Sequence, residues 1–327
     1  MIKFIFKLIK RILLLILLLF LGLPYFIPRD GREGVPSQPF ENSLFVNTSQ
    51  GIPIHTRIDQ PTQPMKGQIM LVHGLGGSTF SYEDNAPFLA SQGYFVVSVD
   101  LPAFGFSSRQ TGLVHSQENR AMWLWDVLNQ IEVLYNLPST WILGGHSMGG
   151  SVVLAMNNEQ PNKTLGLILI DPAVSGRNTR GRLLQGVVKY TPVGEWLRVF
   201  LTYGLLNEEQ FKSSLSSAYG VEATKEQVNA YLRPLRIKGT TQALREFFAT
   251  SSSVGVDEWL TPHTKTIVIW GEDDAWIPVT QLEAIEEVAK NLQTFVLPNE
   301  GHNPMETNPA LFNQSLIEGL NKWRNQE

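Results

Sequence analysis

The chain contains no cysteine among its 327 residues, so disulfide bonds and thiolate metal sites are excluded. Charged residues are also scarce, at 17%, and a net charge of −4 does not indicate nucleic acid as a partner. Histidines and carboxylates do not occur at metal-ligand spacing, and no glycine-rich segment ends in the Lys-Ser/Thr pair of a phosphate-binding loop. We therefore expect a protein that uses no metal and no cofactor.

The first residues depart from ordinary globular composition. An unbroken apolar run covers residues 12–28, at the short end of the length that spans a bilayer. The run predicts a transmembrane helix within an anchor at 1–28, and no small-x-small site follows it to indicate a cleaved signal peptide instead. Cations before the run predict an extracytoplasmic position for the rest of the chain. These cations are Lys3, Lys7, Lys10 and Arg11.

A polar segment with glycine and proline at 29–41 indicates a linker. Beyond it, short apolar runs alternate with helical patterns, which predicts an α/β fold with a mostly parallel central sheet flanked by helices. We expect this core to comprise residues 42–174 and 263–327. The predicted strands lie near 45–48, 52–55, 68–72, 94–100, 141–146, 165–171, 266–270 and 294–297.

The alternation stops between the two parts of the core. Residues 175–262 contain several helical patterns and no clear strand, so we predict a helical cap inserted over one end of the sheet. The aromatic side chains of this segment could line a pocket, although for any single one a place in the cap's own core is the simpler expectation. They include Phe200, Tyr203, Tyr219, Tyr231, Phe247 and Phe248.

A glycine-dense turn at 145–149 joins an apolar strand pattern to a helical one. Its sequence, Gly-His-Ser-Met-Gly, matches the G-x-S-x-G pattern of a nucleophile elbow, in which a serine occupies a strained strand-to-helix turn. The flanking glycines suit such a turn because a Cβ at either position would collide with a neighbouring element. Ser147 is thus the candidate nucleophile, and it requires a base to take its proton.

Two later segments offer the partners that a serine nucleophile needs. Asp274 and His302 each follow an apolar strand, so both are expected at the carboxyl edge of the sheet with Ser147. Asp273 competes with Asp274 as the acid, and Asp171 could serve in a rearranged triad. The other histidines carry weaker signals: His73 and His146 lie inside backbone motifs, and His55, His115 and His263 suggest surface or loop positions.

Five motifs occur in order, beginning at His73, Asp100, Gly145, Gly271 and Gly301. With them the chain resembles the α/β-hydrolase-fold serine hydrolases with a helical cap, a branch that holds esterases and monoacylglycerol-type lipases. The resemblance implies Ser147 as nucleophile, Asp274 as acid and His302 as base. It also implies an oxyanion hole made of the backbone N–H groups of Leu75 and Met148. Ala103 stands where the family often has glycine.

The resemblance implies hydrolysis of small-molecule or lipid carboxylic esters. Dehalogenase and epoxide hydrolase chemistry is disfavoured because it needs a carboxylate in place of Ser147. Three alternatives stay open: acyl transfer, a non-catalytic binding protein, and amide hydrolysis at an N-terminal residue. The last would need an acidic group in the cap to bind an α-ammonium, for which the candidates are Glu208, Glu209 and Glu222.

Overall fold

A computed structural model describes residues 2–27, 31, 33–174, 186, 188, 191–205, 207–252 and 256–325. Its centre is one eight-stranded sheet with the strand order β1-β2-β4-β3-β5-β6-β7-β8. The strands β1 and β2 form an antiparallel hairpin, β2 pairs antiparallel with β4, and all the other pairs are parallel. The strands are β1 Ser43–Asn47, β2 Pro53–Asp59, β3 Gly67–Val72, β4 Tyr94–Val99, β5 Trp141–His146, β6 Thr164–Ile170, β7 Thr266–Gly271 and β8 Leu292–Leu297.

Helices cover both faces of this sheet, which explains why the central strands are apolar throughout rather than alternating. Met70 and Val72 of β3 face one hydrophobic core, and Ile69 and Leu71 of the same strand face the other. The first core includes helices α3 Gln117–Tyr135 and α4 Met148–Glu159, and the second includes α2 Ala86–Ser91 and α12 Pro309–Arg324. The predicted α/β architecture with a mostly parallel sheet is confirmed. Two short helices, α10 Leu282–Val288 and α11 Pro304–Thr307, complete the core.

Between β6 and β7 the described residues contain helices and no strand of the sheet. Capping side chains begin two of these helices: Asn207 accepts from the Gln210 N–H, and Thr224 forms a capping box with Gln227. One of the helical patterns of this segment, at 182–190, falls largely outside the described residues, and the cap boundaries 175–262 stay a prediction. The helices are α5 Thr191–Phe200, α6 Glu208–Tyr219, α7 Lys225–Leu235, α8 Thr240–Thr250 and α9 Val256–Trp259.

The segment predicted as a linker is attached to these helices. Glu33 forms an isolated parallel bridge with Ile237 just after α7. Its N–H donates to the Arg236 carbonyl at 3.3 Å, and its carbonyl accepts from the Lys238 N–H at 2.9 Å. The polar composition of 29–41 gave no indication of this pairing, because the partner strand segment is about 200 residues away in the chain.

The N-terminal residues form helix α1, Ile2–Gly22. Within the described part of the chain, no helix is both long and apolar enough to cross a membrane. The predicted transmembrane helix in the anchor 1–28 is therefore not supported. The physical reason is that its cations lie in the first half of the helix, so the uncharged part runs only from Ile12 to Gly22. At about 1.5 Å per residue this part measures roughly 16 Å, against about 30 Å for a hydrocarbon core.

A buried carboxylate fixes the loops at the carboxyl edge of the sheet. Asp100, directly after β4, accepts from the Thr79 and Phe106 N–H groups and from His55 Nδ1, each at 2.7 Å. Burial alone would raise the pKa of this carboxyl, but His55 and the hydrogen bonds bring it below the usual value. A Cβ on Gly105 would lie 1.9 Å from the Asp100 carboxyl carbon, so this loop closes only around a glycine.

We expect Asp100→Asn to lower the free energy of unfolding at pH 7 by roughly 2–4 kcal/mol, because buried donors lose a charged acceptor. Since the folded pKa is lowered, the carboxylate stabilises the protein above the unfolded pKa of about 3.9, and this contribution is lost as the pH falls further. Urea unfolding of the variant and the parent at several pH values measures this contribution. The exposed Asp84→Asn control should change stability by less than about 0.5 kcal/mol. Equal stability of the Asp100 variant and the parent would contradict the stabilising role of the Asp100 carboxylate.

Candidate active site

The turn after β5 has the geometry of a nucleophile elbow. Ser147 adopts φ 50° and ψ −117°, and its N–H donates to the Ile170 carbonyl at 2.9 Å. A Cβ on Gly145 would lie 2.3 Å from the Gly149 carbonyl oxygen, and one on Gly149 would lie 2.3 Å from the Val72 oxygen. Both positions therefore accept only glycine. The turn leaves Ser147 directly before α4, with its side chain on a cavity.

The acid and the base predicted from the sequence are in contact. His302 Nδ1 and Asp274 Oδ2 lie 2.6 Å apart, and both side chains are buried. The other Asp274 oxygen accepts from the Trp276 and Ile277 N–H groups at 2.8 Å each, which fixes the carboxylate. With Asp274 as acceptor, the His302 proton is held on Nδ1 and Nε2 is left able to take a proton.

His302 and Ser147 line the same cavity. Among the hydrogen bonds found within the described ranges, none joins Ser147 Oγ to the His302 ring. Such bonds are often long in a free enzyme and tighten once substrate is bound. Their place in one cavity is therefore compatible with proton transfer from Ser147 to His302 once a substrate is bound.

The two competing acids have different surroundings. Asp273 is exposed, and its N–H donates to the Glu300 carbonyl. Asp171 is fully buried beside the pair: its carboxyl oxygen, one of Asp274 and a His302 ring nitrogen lie within 4.8 Å of one another. Asp171 Oδ1 accepts from the Gly271 N–H at 2.8 Å. Burial raises the pKa of Asp171 well above its usual value and the Asp274 charge raises it further, although the Gly271 bond opposes this. Burial therefore favours the neutral form of the Asp171 carboxyl.

Two further histidines support the backbone around the site, as the sequence suggested. His73 Nδ1 donates to the Gly74 carbonyl at 2.7 Å, and its Nε2 accepts from the Leu101 N–H at 3.1 Å. His146 Nε2 donates to the His302 carbonyl at 2.7 Å. Burial lowers the pKa of both rings, so both are held neutral. Each ring thus ties one loop of the site to another.

One of the predicted oxyanion donors directly follows Ser147 and the other belongs to the cavity wall. Met148 is the first residue of α4, so its N–H has no acceptor within the helix. Leu75 lines the cavity. In the portion of the chain that the structure describes, its N–H donates to no backbone carbonyl of a turn, loop or helix cap. Gly76, with φ 76°, turns the chain immediately after it. The pair could bind an anion next to Ser147 Oγ.

The cavity has a volume of about 360 Å³, and its walls are mainly apolar. Of the six aromatic residues considered in the sequence, Tyr231 and Phe248 line it. Tyr219 and Phe247 are buried elsewhere, and Phe200 and Tyr203 are exposed. The sequence interpretation missed several lining residues: Phe104, Phe211, Leu215, Leu235, Leu244, Trp276 and Ile277.

Part of the cavity lining shows a helical period in the sequence. The helix α6 contributes Phe211, Ser214, Leu215 and Ala218 at spacings i, i+3, i+4 and i+7, which is one face of a helix. The sequence shows this face but not what it covers. The acids considered for binding an α-ammonium, Glu208, Glu209 and Glu222, do not line the cavity, and Glu222 pairs with Lys212 at the surface.

We expect Asp171→Asn to stabilise the protein increasingly as the pH rises. The raised folded pKa means that Asp171 contributes stability below the unfolded pKa of about 3.9, and this contribution is lost as the pH rises through the folded pKa. An asparagine keeps the acceptor for Gly271 and cannot ionise. Thermal unfolding of both proteins between pH 4 and 9 tests this. A variant that loses stability relative to the parent at high pH would show that Asp171 is needed as a carboxylate.

Comparison with known proteins shows which family the chain belongs to. A sequence model of the α/β hydrolase fold family matches residues 68–309, which is most of the chain. Among curated proteins, one named uncharacterized hydrolase YugF, from Bacillus subtilis, is 23% identical over 257 residues, covering 78% of this chain and 90% of that protein. Lipase 3 of a Moraxella species is 24% identical over 243 residues, covering 72% of each.

Solved structures share the fold. A bacterial membrane phospholipase A aligns with a TM-score of 0.68 at 20% identity, covering 99% of this chain and 100% of that one. A putative lipase of Acinetobacter baumannii aligns with a TM-score of 0.66 at 22% identity, covering 87% and 92%. The matched sequence, the eight-stranded sheet and the elbow agree with the resemblance found from the ordered motifs. The chain is a hydrolase that belongs to the α/β hydrolase fold family.

Proposed function

We propose that this protein is a serine hydrolase that cleaves carboxylic esters through an acyl-enzyme. The observation that carries the proposal is that Ser147 lies on an apolar cavity that also contains His302, whose ring is held by Asp274. A serine, a base and an orienting acid are the three groups that nucleophilic acyl transfer requires. Two relatives named lipases, which this chain covers to 72% and 71% of their length, support the same reaction class.

The proposed reaction begins with attack of Ser147 Oγ on the acyl carbonyl carbon while His302 Nε2 takes the hydroxyl proton. Asp274 stabilises the imidazolium that forms, because its carboxylate accepts from Nδ1. The Leu75 and Met148 N–H groups stabilise the negative oxygen, and losing one such donor costs on the order of 3 kcal/mol. The C–O bond to the alcohol breaks, the alcohol leaves with the proton from His302, and water activated by the same imidazole releases the acid.

The cavity supports an apolar acyl group as the substrate's main recognition element. Leucine, isoleucine and phenylalanine side chains from three cap helices and the core provide its surface. Each methylene moved from water to such a surface contributes about 0.8 kcal/mol, which is roughly a factor of four in binding. A cavity of about 360 Å³ can accept several methylenes, so medium-length acyl chains fit better than acetyl.

We expect kcat/KM for p-nitrophenyl esters to rise from acetyl to a medium-length acyl chain, because each added methylene is buried in the cavity. Steady-state kinetics on a graded ester series measures the trend. Ser147→Ala should lower kcat by at least about 10³-fold, and Asp274→Asn by a similar factor, since the imidazole loses its correct tautomer.

Asp273→Asn is the matched control for Asp274→Asn, because the two aspartates are adjacent and only Asp274 contacts His302. The control should retain parental kinetics. A strong preference for acetyl esters would refute the apolar acyl site. Full activity of the Ser147→Ala variant would refute the nucleophile.

We also propose that helix α1 holds the enzyme on a membrane surface without crossing it. Apolar side chains on all sides of the helix are exposed, for example Phe4 at 72% and Leu19 at 58%, and such surfaces favour lipid. The C-terminal end is attached to the cap, since Trp196 Nε1 donates to the Phe20 carbonyl at 2.8 Å and the two rings stack. The extracytoplasmic position of the catalytic domain stays a prediction from the charge pattern alone. The helix also carries Lys3, Lys7, Lys10 and Arg11.

We expect the full chain to float with vesicles that contain anionic phosphatidylglycerol, more strongly at low salt than at high salt. Replacing the four cations of α1 by glutamine should weaken binding by roughly 10²-fold or more, at about 1 kcal/mol for each cation. The matched control replaces four exposed lysines of the catalytic domain. Equal loss in both quadruple variants, or no binding by the parent, would contradict the role of α1. The control positions are Lys66, Lys225, Lys238 and Lys290.

A further inference from the structure

Two aromatic rings lie against the imidazole of His302. The Trp276 ring stacks on it, with the ring centroids 5.6 Å apart and the planes 26° from parallel. The His146 ring is tilted by 52° against it, at a centroid distance of 4.7 Å. Only 4% of the His302 side chain is exposed. A positive charge on this ring therefore depends on its neighbours in the protein more than on water for its stabilisation.

The indole of Trp276 belongs to the turn that also carries the acid. The Trp276 N–H donates to Asp274 Oδ1 at 2.8 Å, and the indole N–H donates to Ser217 Oγ of α6 at 3.4 Å. Trp276 is 49% exposed and lines the cavity together with His302. One turn thus presents a carboxylate to Nδ1 of the His302 ring and an indole face to the plane of the same ring.

An indole face stabilises a cation that lies over it. Its π-electrons make the face negative, and the attraction acts within about 6 Å of the ring centroid, most strongly for tryptophan. In the proposed reaction His302 becomes positively charged each time it takes a proton, first from Ser147 and then from water. Burial lowers the pKa of His146, so that neighbouring ring is neutral and adds no opposing charge. The Trp276 face therefore acts on the His302 charge in the same direction as the Asp274 carboxylate does.

We propose that Trp276 is a positioning residue of the acyl transfer: its indole face restrains the His302 ring and stabilises the imidazolium that forms during catalysis. This inference rests on the proposed ester hydrolysis. The indole exchanges no proton and forms no covalent bond. The Ser147 proton passes to His302 Nε2 and from there to the departing alcohol, and between these two steps the indole face lies against the charged ring.

A role as cavity wall alone predicts the opposite effect on the pH dependence. If Trp276 only covered the cavity, a smaller side chain would admit water to His302, and water favours the charged form of a buried imidazole. The acid limb of the kcat/KM profile, where the imidazolium cannot act as base, would then move to higher pH. Loss of a stacked face disfavours the imidazolium and moves this limb to lower pH. The direction of the shift therefore separates the two roles.

The test compares the full-chain parent with Trp276→Leu, using hydrolysis of p-nitrophenyl hexanoate between pH 4 and 9. We expect the leucine variant to lose about 2- to 5-fold in kcat and its acid limb to move to lower pH by roughly 0.5, the size of a partly exposed cation–π contact. Trp276→Met also lacks an aromatic face and should behave in the same way. Trp276→Phe keeps such a face, so its acid limb should stay close to that of the parent.

Other titratable groups face His302 from the turns at the carboxyl ends of β5, β6 and β7. They are His146, Asp171, whose carboxyl oxygen lies within 4.8 Å of a His302 ring nitrogen, and Asp274, which is bonded to Nδ1. All three are retained in each Trp276 variant. A displaced acid limb therefore reports the loss of the indole.

Phe248→Leu is the matched control, because Phe248 lines the same cavity and its ring packs on Phe247 in α8. It should keep the acid limb of the parent. An acid limb that stays in place or moves to higher pH in Trp276→Leu and Trp276→Met would overturn the stacking role while leaving ester hydrolysis intact, and so would an equal shift in Phe248→Leu. Absence of hydrolysis by the parent would overturn the proposed function and this inference together.

Discussion

The structure depends on one close approach between backbone segments. At the elbow, Gly145 and Gly149 leave no space for a Cβ, and Ser147 adopts a positive φ. A side chain at either glycine would separate α4 from β3 and β5 and would move Ser147 away from the cavity. Such a strained turn costs of order 1–3 kcal/mol, and it persists only because the surrounding sheet and helices hold it. A fold that needed only stability would not require this conformation.

The same sheet edge brings distant residues together. Asp274 and His302 are more than 100 residues from Ser147 in sequence, yet each follows a parallel strand, and the carboxyl ends of parallel strands meet at one edge. This regularity explains why the strands and the candidate triad could be predicted from the sequence. The choice between Asp274 and Asp273 was not settled by strand position, because both follow β7; the hydrogen bond to His302 distinguishes them.

Features that depend on packing between distant segments could not be predicted in this way. The cap helices carry visible apolar faces, but which residues face the cavity depends on how the helices lie over the sheet. Ser81, Tyr231 and Asn303 come from three segments and line the cavity together, with Glu306 accepting from the Tyr231 hydroxyl, and no local pattern marks these residues. The N-terminal run was interpreted as a spanning helix from its apolar length, whereas the cations of its first half leave too short an uncharged part.

The central claim is that Ser147 is the nucleophile of this site, and covalent labelling tests it most directly. The folded full chain is treated with an alkyl fluorophosphonate, whose phosphorus a nucleophilic serine attacks with loss of fluoride. The modified residue is then located by mass spectrometry of the digested protein. We expect one adduct, on Ser147, that is absent after His302→Ala because no base remains to take the hydroxyl proton. A folded protein that stays unlabelled, or an adduct on another residue, would contradict it.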